Sequence, residues 1–170
     1  MSDRRLADRS ARRADMRPPP ARAARKNGRK AVDIGVLDDH LGYFIRRLQI
    51  WVFQDFIRAL APIDIRPAQY SVLVVIAANP GLSQSDLAAT LAIERARLVR
   101  LLDKLENRGL TRRLDSRTDR RSHALRLTSD GQRILRRAKA LAAAHEARLN
   151  AVLGDEQRRL MIDALKRFDR

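Results

Sequence analysis

Residues 83–128 read SQSDLAATLAIERARLVRLLDKLENRGLTRRLDSRTDRRSHALRLT, and several local patterns follow one another in this stretch. Ser83 is placed to cap a short helix, because its hydroxyl can accept a hydrogen bond from a backbone N–H of the first turn. The segment 94–108 has the spacing of a second helix, and Gly109 ends it. Its leucines form one stripe, and about 120° away lies a stripe of cations: Arg97, Arg100 and Lys104.

Two runs after this helix, 110–114 and 123–128, alternate between apolar and polar residues in the manner of strands. The polar, arginine-rich stretch 115–122 lies between them, so we predict a β-hairpin with a long basic tip. A short helix, a tight turn, a cationic helix and a hairpin make up the order of a winged helix-turn-helix. In that design the second helix enters the major groove and the hairpin tip can reach the minor groove. Double-stranded DNA is therefore the expected partner.

Apolar residues at helical spacing continue on both sides of this stretch. Residues 38–61 predict a long first helix with Asp38 or Asp39 as its N-cap, and a second helix begins near Pro67. After the hairpin, two further helices are predicted, over 129–152 and 155–168. The expected fold class is mainly α (α+β). The apolar stripes at the two ends of the chain exceed what a small monomer can cover, which favours an interlocked homodimer.

The charge of the chain is strongly positive, with 36 Lys and Arg against 20 Asp and Glu and a formal net charge of +16. Two segments of the chain contain the whole excess of basic over acidic residues. Residues 1–30 contain 11 basic and 3 acidic residues, and residues 94–137 contain 14 and 6. We interpret residues 1–35 as a disordered basic arm, since they contain too few large apolar residues to form a core. A solubilising tail and a tether to nucleic acid explain that arm equally well.

Several function classes find no support in the composition. The chain has no cysteine, which excludes disulfides, thiolate metal sites and cysteine nucleophiles. No apolar run is long enough to span a membrane and no signal-peptide core is visible, so we expect a cytoplasmic, nucleoid-associated protein without a membrane partner. The three histidines are widely separated, and no phosphate-binding glycine loop or nucleophile motif accompanies them: His40, His123 and His145. We expect no enzyme, no metal site and no cofactor.

Three motifs resemble the MarR family of bacterial transcription regulators. They are LLDKLENRGL at 101–110, DSRTDRRS at 115–122 and LTSDG at 127–131. The resemblance extends over about residues 38–168. It implies a triangular homodimer with interlocked first and last helices, a wing on each subunit and a palindromic operator. It also implies that Arg121 reaches the minor groove and that Asp119 helps to orient the wing arginines.

The DNA contacts expected from the pattern and the resemblance together lie on the helix-turn-helix and the wing. They are Ser83, Arg95, Arg97, Arg100, Lys104, Arg117, Arg120 and Arg121. Within a MarR-type domain over 36–170, we expect residues 62–128 to form the DNA-binding lobe. The segments 38–61 and 129–170 are expected to be dimerisation helices. Many relatives have Ser and Thr at the start of the recognition helix, whereas arginines stand there in this chain, so the operator sequence cannot be transferred.

The first helix carries five of the seven aromatic residues of the chain. Residues 41–47 and 94–100 are similar to the branch that controls breakdown of aromatic acids, including regulators released by hydroxycinnamoyl-coenzyme A thioesters. The candidate effector-binding residues are Tyr43, Phe44, Arg46, Arg47 and Trp51. Packing in the core or a dimer interface accounts for each ring as well, and an ion pair accounts for each arginine, with Asp38, Asp39 or Asp55 as partners.

The function expected from all of this is a repressor of an aromatic-compound catabolic operon, released from its operator by p-coumaroyl-coenzyme A or a related aromatic acyl thioester. One alternative is an architectural protein that binds nucleic acid without sequence preference. Another is a regulator of the same family that responds to a free phenolic acid or a drug. The sequence does not distinguish repression from activation.

Overall fold

A computed structural model describes residues 32–115 and 123–168, and these residues form six α-helices and two β-strands. The elements, in chain order, are α1 Leu41–Leu60, α2 Pro67–Ala78, α3 Gln84–Thr90, α4 Arg95–Asn107, β1 Thr111–Asp115, β2 His123–Leu127, α5 Ser129–Leu153 and α6 Asp155–Leu165. The mainly helical fold with a small hairpin agrees with the prediction. Most of the predicted arm, and residues 116–122 of the predicted wing tip, lie outside the described residues.

The described chain divides into two compact units. One contains the residues up to Arg47 together with those from Asn150 onward, and the other is Leu48–Leu149. The second unit contains one hydrophobic core, to which helices α1 to α5, strand β2 and Leu110, the residue before β1, contribute. Its large apolar side chains that are fully buried are Leu60, Ile65, Val72, Leu73, Ile76, Leu87, Leu98, Leu102, Leu105 and Leu125.

The predicted N-cap of the first helix is wrong. Asp38 and Asp39 lie in a 3-10 turn, Gly35–Asp39, so neither has the extended backbone that an N-cap adopts. His40 has that extended conformation, with φ −93° and ψ 109°, and its carbonyl accepts hydrogen bonds from the first turn of α1. The helix therefore begins at Leu41, and its N-cap is one or two residues later than predicted.

The predicted cap of α3 is confirmed. Ser83 has extended backbone, and its Oγ accepts a hydrogen bond of 3.1 Å from the backbone N–H of Asp86. The same hydroxyl donates to the Asp86 carboxylate at 2.8 Å. The turn into α4 passes through Ala92, whose φ is +48°. Gly109, with φ +66°, ends α4 as expected.

The hairpin is antiparallel, and Arg112 faces Arg126 across it. Leu125 also exchanges backbone hydrogen bonds with Gly81 and Leu82, at 2.9 and 3.0 Å, which attaches β2 to the segment before α3. A Cβ on Gly131 would collide with the backbone carbonyl of Leu110, so only glycine fits where α5 begins against the hairpin.

No single helix within the described ranges is long and apolar enough to cross a membrane; the bent pair Leu41–Ile63 and Pro67–Ala78 reaches that length and composition together, with 72° between its parts.

Candidate nucleic-acid interface

Three of the predicted DNA-contacting residues lie together on α4. Arg97, Arg100 and Lys104 are exposed and line one groove of about 550 Å³. On the other side of the same helix Leu98, Leu102 and Leu105 are buried to 1% exposure or less. The helix is therefore held by its leucines and offers a row of cations to the solvent.

The groove carries a net positive charge, which favours a polyanion. Its only acidic lining residue within the described chain is Asp103, whose carboxylate is already paired with Arg113. The cations stand three and four residues apart, about one helical turn, so they rise along one side of α4. A helix of this kind fits the major groove of B-DNA, where arginines read guanine edges and lysines contact phosphates.

Two other predicted contacts differ in their surroundings. Arg95 is exposed at the first position of α4 but does not line the groove. Ser83 is half-buried, and its hydroxyl makes both hydrogen bonds of the α3 cap. The predicted wing contacts and the residue expected to orient them lie outside the described residues: Arg117, Asp119, Arg120 and Arg121.

Arg113 attaches the first strand of the hairpin to the cationic helix, a role that the sequence analysis did not assign. Its guanidinium contacts the carboxylates of Asp103 at 2.6 Å and of Glu106 at 3.0 Å. Its backbone N–H also donates to Glu106 at 3.1 Å. The charge of Arg113 is thus satisfied within the protein. A sequence signal existed, because strand alternation places Arg113 on the same side as the buried Thr111.

Arg108, the C-cap residue of α4, attaches the C-terminal end of the cationic helix to the bend before α2. Its guanidinium donates to the backbone carbonyls of Asp64 and Ile63, and lies 3.5 Å from the Asp64 carboxylate. Asp64 has a left-handed backbone with φ +49°, and it forms the bend between α1 and α2. Arg108 and Arg113 together hold both the C-terminal end of α4 and the hairpin in a defined position.

Three of the predicted effector residues contact one another on α1. The rings of Tyr43 and Phe44 meet edge to face, with centroids 5.4 Å apart. Arg47 donates to the Tyr43 hydroxyl at 3.1 Å, and its guanidinium lies 5.5 Å from the centre of that ring. An aspartate was expected as the ion-pair partner of Arg47. The contact that the structure shows for this arginine is with Tyr43. Arg46 is exposed, and Trp51 is half-buried in the other compact unit.

A buried polar cluster inside the second unit was missed by the sequence analysis. Asp55 of α1 is 1% exposed, and its Oδ2 accepts hydrogen bonds from His145 at 2.6 Å and from Arg148 at 2.8 Å, both on α5. The His145 ring, 2% exposed, stacks on Phe56 with centroids 5.0 Å apart. Asp55 is therefore paired within the second unit and not with the arginines of α1 that were offered as its partners.

The surroundings of this cluster shift two pKa values. Burial by itself raises the pKa of Asp55, but the hydrogen bonds and positive charges of His145 and Arg148 outweigh burial and hold that pKa below its ordinary value. Tyr70, which meets Phe56 edge to face, has a raised pKa because it is buried and because Glu146 is negatively charged. Asp55 is thus charged inside the second unit at neutral pH.

Comparison with known proteins gives this geometry a context. A family model described as the MarR family matches residues 63–122. A protein described as a transcriptional regulatory protein for the hcr operon of Thauera aromatica is 37% identical over 137 residues, which are 80% of this chain and 82% of that protein.

Solved structures of the transcriptional repressor CouR are similar over most of their length. CouR bound to a 23-mer DNA duplex is 44% identical, with a TM-score of 0.80 over 83% of this chain and 100% of that one. CouR bound to p-coumaroyl-CoA is 42% identical, with a TM-score of 0.75 over 82% of this chain and 99% of that one.

These matches extend beyond the helix-turn-helix and the hairpin to the flanking helices, which confirms the resemblance found in the motifs of residues 101–131. The chain belongs to the MarR family of transcriptional regulators.

Proposed function

We propose that this chain is a repressor that binds a palindromic operator as a homodimer and is released by an aromatic acyl-coenzyme A thioester. The observation that carries the proposal is the exposed cationic row of α4, whose opposite side is buried in the core. A DNA-bound relative of 44% identity supports the same use of the fold.

In this proposal residues 62–128 form the DNA-binding lobe. Arg95, Arg97 and Arg100 read base edges or phosphates from α4, with Lys104 on the backbone. Ser83 contacts the DNA backbone at the start of α3. The wing adds Arg117, Arg120 and Arg121, with Asp119 orienting them.

The segments 38–61 and 129–170 serve as dimerisation helices. Large apolar side chains are exposed at both ends of the described chain, and burying them against a second copy removes them from water. They include Val36, Leu41, Phe44, Ile45, Leu160, Leu165 and Phe168.

The effector is the second part of the proposal. The relative that binds p-coumaroyl-CoA supports an aromatic acyl thioester, and an aromatic catabolic operon is the corresponding target. On this chain Tyr43, Phe44 and Trp51 supply rings, and Arg46 and Arg47 supply cations suited to coenzyme A phosphates. The ligand acts by binding better to the conformation that fits DNA poorly, and it shifts the equilibrium only by that difference.

Fluorescence anisotropy with DNA from the promoter region beside the gene tests both parts. Operator binding should persist against a large excess of random DNA, whereas an architectural protein would lose it. Adding p-coumaroyl-CoA should weaken binding by about 5- to 150-fold, the range of ordinary allosteric coupling. Free p-coumarate and coenzyme A alone serve as controls.

The operator part and the effector part of the proposal can each be disproved without the other. Equal affinity for promoter and random DNA would overturn the operator-specific regulator. Retained DNA binding together with no heat in a calorimetric titration of p-coumaroyl-CoA would overturn the thioester effector. A response to free p-coumarate alone would make the protein a regulator of the free phenolic acid type.

A further inference from the structure

A second cationic cavity lies beside the hairpin, formed by the end of α2, the two strands and the first half of α5. Its volume is about 470 Å³, and Gln132 lines it together with four cations: Arg112, Arg126, Arg136 and Lys139. No acidic side chain is among the described residues that line it. The cavity is thus more uniformly basic than the groove on α4.

This cavity and the α4 groove lie on opposite faces of the hairpin. Side chains alternate along a strand, and Arg113 points to α4, where it contacts Asp103 and Glu106. Its neighbour Arg112 therefore points the other way. The strand register places Arg126 directly opposite Arg112, on that same outer face. A ligand in the cavity would not occupy the groove that α4 offers to DNA.

The four cations repel one another in the unliganded protein. Arg112 and Arg126 face each other directly across the hairpin, an arrangement that destabilises a sheet when both charges have the same sign. Arg136 and Lys139 are three residues apart on α5 and repel in the same way. On α5, Asp130 pairs with Arg133. A bound anion would relieve this repulsion.

The shape and the walls of the cavity indicate a small ligand. Ile76, Pro80 and Leu135 contribute apolar atoms to the lining next to the cations. A concave site of this volume, with an apolar wall and convergent polar groups, is typical of small-molecule sites. Arginine forks bind phosphate oxygens in pairs, and a ligand with two phosphates can satisfy several of these cations at once.

We infer that this cavity binds a small phosphorylated ligand with at least two phosphate groups, of the class of a nucleoside diphosphate. Its phosphates contact Arg112, Arg126, Arg136 and Lys139, and its base or sugar lies against the apolar wall. The site joins β1 and β2 to α5 through the ligand. The cavity residues are separate from the candidate effector residues on α1, and the inference does not depend on the identity of the operator.

Calorimetric titration of the full chain, without DNA, tests the inference with ADP, pyrophosphate and adenosine as probes. ADP and pyrophosphate should bind and adenosine should not. Arg136→Ala should weaken ADP binding by about tenfold or more, as expected for the loss of one charge-assisted hydrogen bond. Arg137→Ala is the matched control, because Arg137 is the next residue of α5, is exposed and does not line the cavity.

Thermal denaturation of each variant shows whether a loss of ADP binding is caused by unfolding of the protein. Removing one of four mutually repelling charges should leave the midpoint of Arg136→Ala equal to that of the wild type or higher. Arg126→Ala and Lys139→Gln provide independent variants with the same expected loss of ADP binding.

Three results would overturn the inference. The first is no binding of ADP or pyrophosphate at about 1 mM, where even weak affinity is detected. The second is an equal loss in Arg136→Ala and Arg137→Ala, which would show attraction to the general charge of the protein. The third is displacement of ADP by a DNA duplex, with DNA binding itself weakened by Arg136→Ala, which would assign the cavity to DNA phosphates.

Discussion

Nδ1 of His145 lies 2.6 Å from Oδ2 of Asp55, and this contact joins α5 to α1 across 90 positions of the sequence. Both side chains are buried, and Arg148 reaches the same oxygen from the more exposed side. A charged carboxylate in such a place is stable only because these two partners compensate for its lost hydration. The cluster thus fixes how α1 and α5 pack against each other.

Replacing Asp55 should reveal this dependence. Asp55→Asn removes the charge but keeps the shape, and it leaves the two basic partners without a counter-charge. Removing one partner of a buried pair costs about 3–5 kcal/mol, which we expect as the loss in the free energy of unfolding measured with urea. Asp163→Asn is the control, because Asp163 is exposed on α6. Equal midpoints for the two variants would contradict the role of the cluster.

The lowered pKa of Asp55 also predicts a pH dependence. A carboxyl whose pKa is lower in the folded state contributes stability above its unfolded pKa, which is about 3.9 for aspartate. That contribution is lost as the pH falls toward the folded pKa of Asp55, which lies below 3.9. The wild type should therefore lose more stability than Asp55→Asn between about pH 5 and pH 2. Parallel curves of stability against pH would show that Asp55 is not the titrating group.

Gly131 offers a test of the contact between α5 and the hairpin. A methyl group at this position would collide with the Leu110 carbonyl, so Gly131→Ala should lower the free energy of unfolding by about 2–3 kcal/mol. Gly42→Ala is the matched control, since Gly42 is an exposed helical glycine with open space around it. That change should stabilise the protein by about 0.5–1 kcal/mol. Effects of the same sign would contradict the packing described here.

The order of helices and strands could be predicted because periodicity and capping are local properties. The Ser83 cap, the Gly109 stop and both strands are where the pattern placed them, to within one or two residues. The prediction of the α1 N-cap was wrong because both aspartates lie in a 3-10 turn, and such a turn leaves no periodic signal in the sequence. Tertiary packing determines the pair of Asp55 with His145 and the pair of Arg113 with Asp103. It also determines the basic cavity beside the hairpin that Arg112 lines. Strand alternation placed Arg113 on the buried side of the hairpin, but no spacing in the sequence identified its partners or those of Asp55.

Arg113 should affect DNA binding without contacting DNA. Arg113→Ala releases β1 from α4, and we expect a loss of about 1–3 kcal/mol in stability because two partly buried carboxylates lose their partner. The affinity for operator DNA should fall as the hairpin loses its fixed position. The slope of affinity against salt should not change, because that slope counts phosphate contacts and Arg113 is engaged within the protein.

Arg133→Ala is the control for this variant, since Arg133 forms an exposed pair with Asp130 on α5. An exposed pair of this kind contributes at most about 1 kcal/mol, so both stability and DNA affinity should be close to wild type. A reduced salt slope in Arg113→Ala would show instead that Arg113 reaches phosphate.

The last prediction separates the roles of two cations within the α4 groove. Arg97 stands in the first half of the helix, where a recognition helix contacts base edges, so Arg97→Ala should cost roughly 1–3 kcal/mol and relax the base preference at one operator position. Lys104 lies about two turns later and is assigned to phosphate, so Lys104→Ala should weaken all sequences alike and reduce the salt slope by about one. Anisotropy titrations on operator and random duplexes at several salt concentrations measure both effects. Because both side chains are exposed, neither change should alter the unfolding midpoint. Equal losses on specific and random DNA for the two variants would mean that α4 lies along the backbone and does not read sequence.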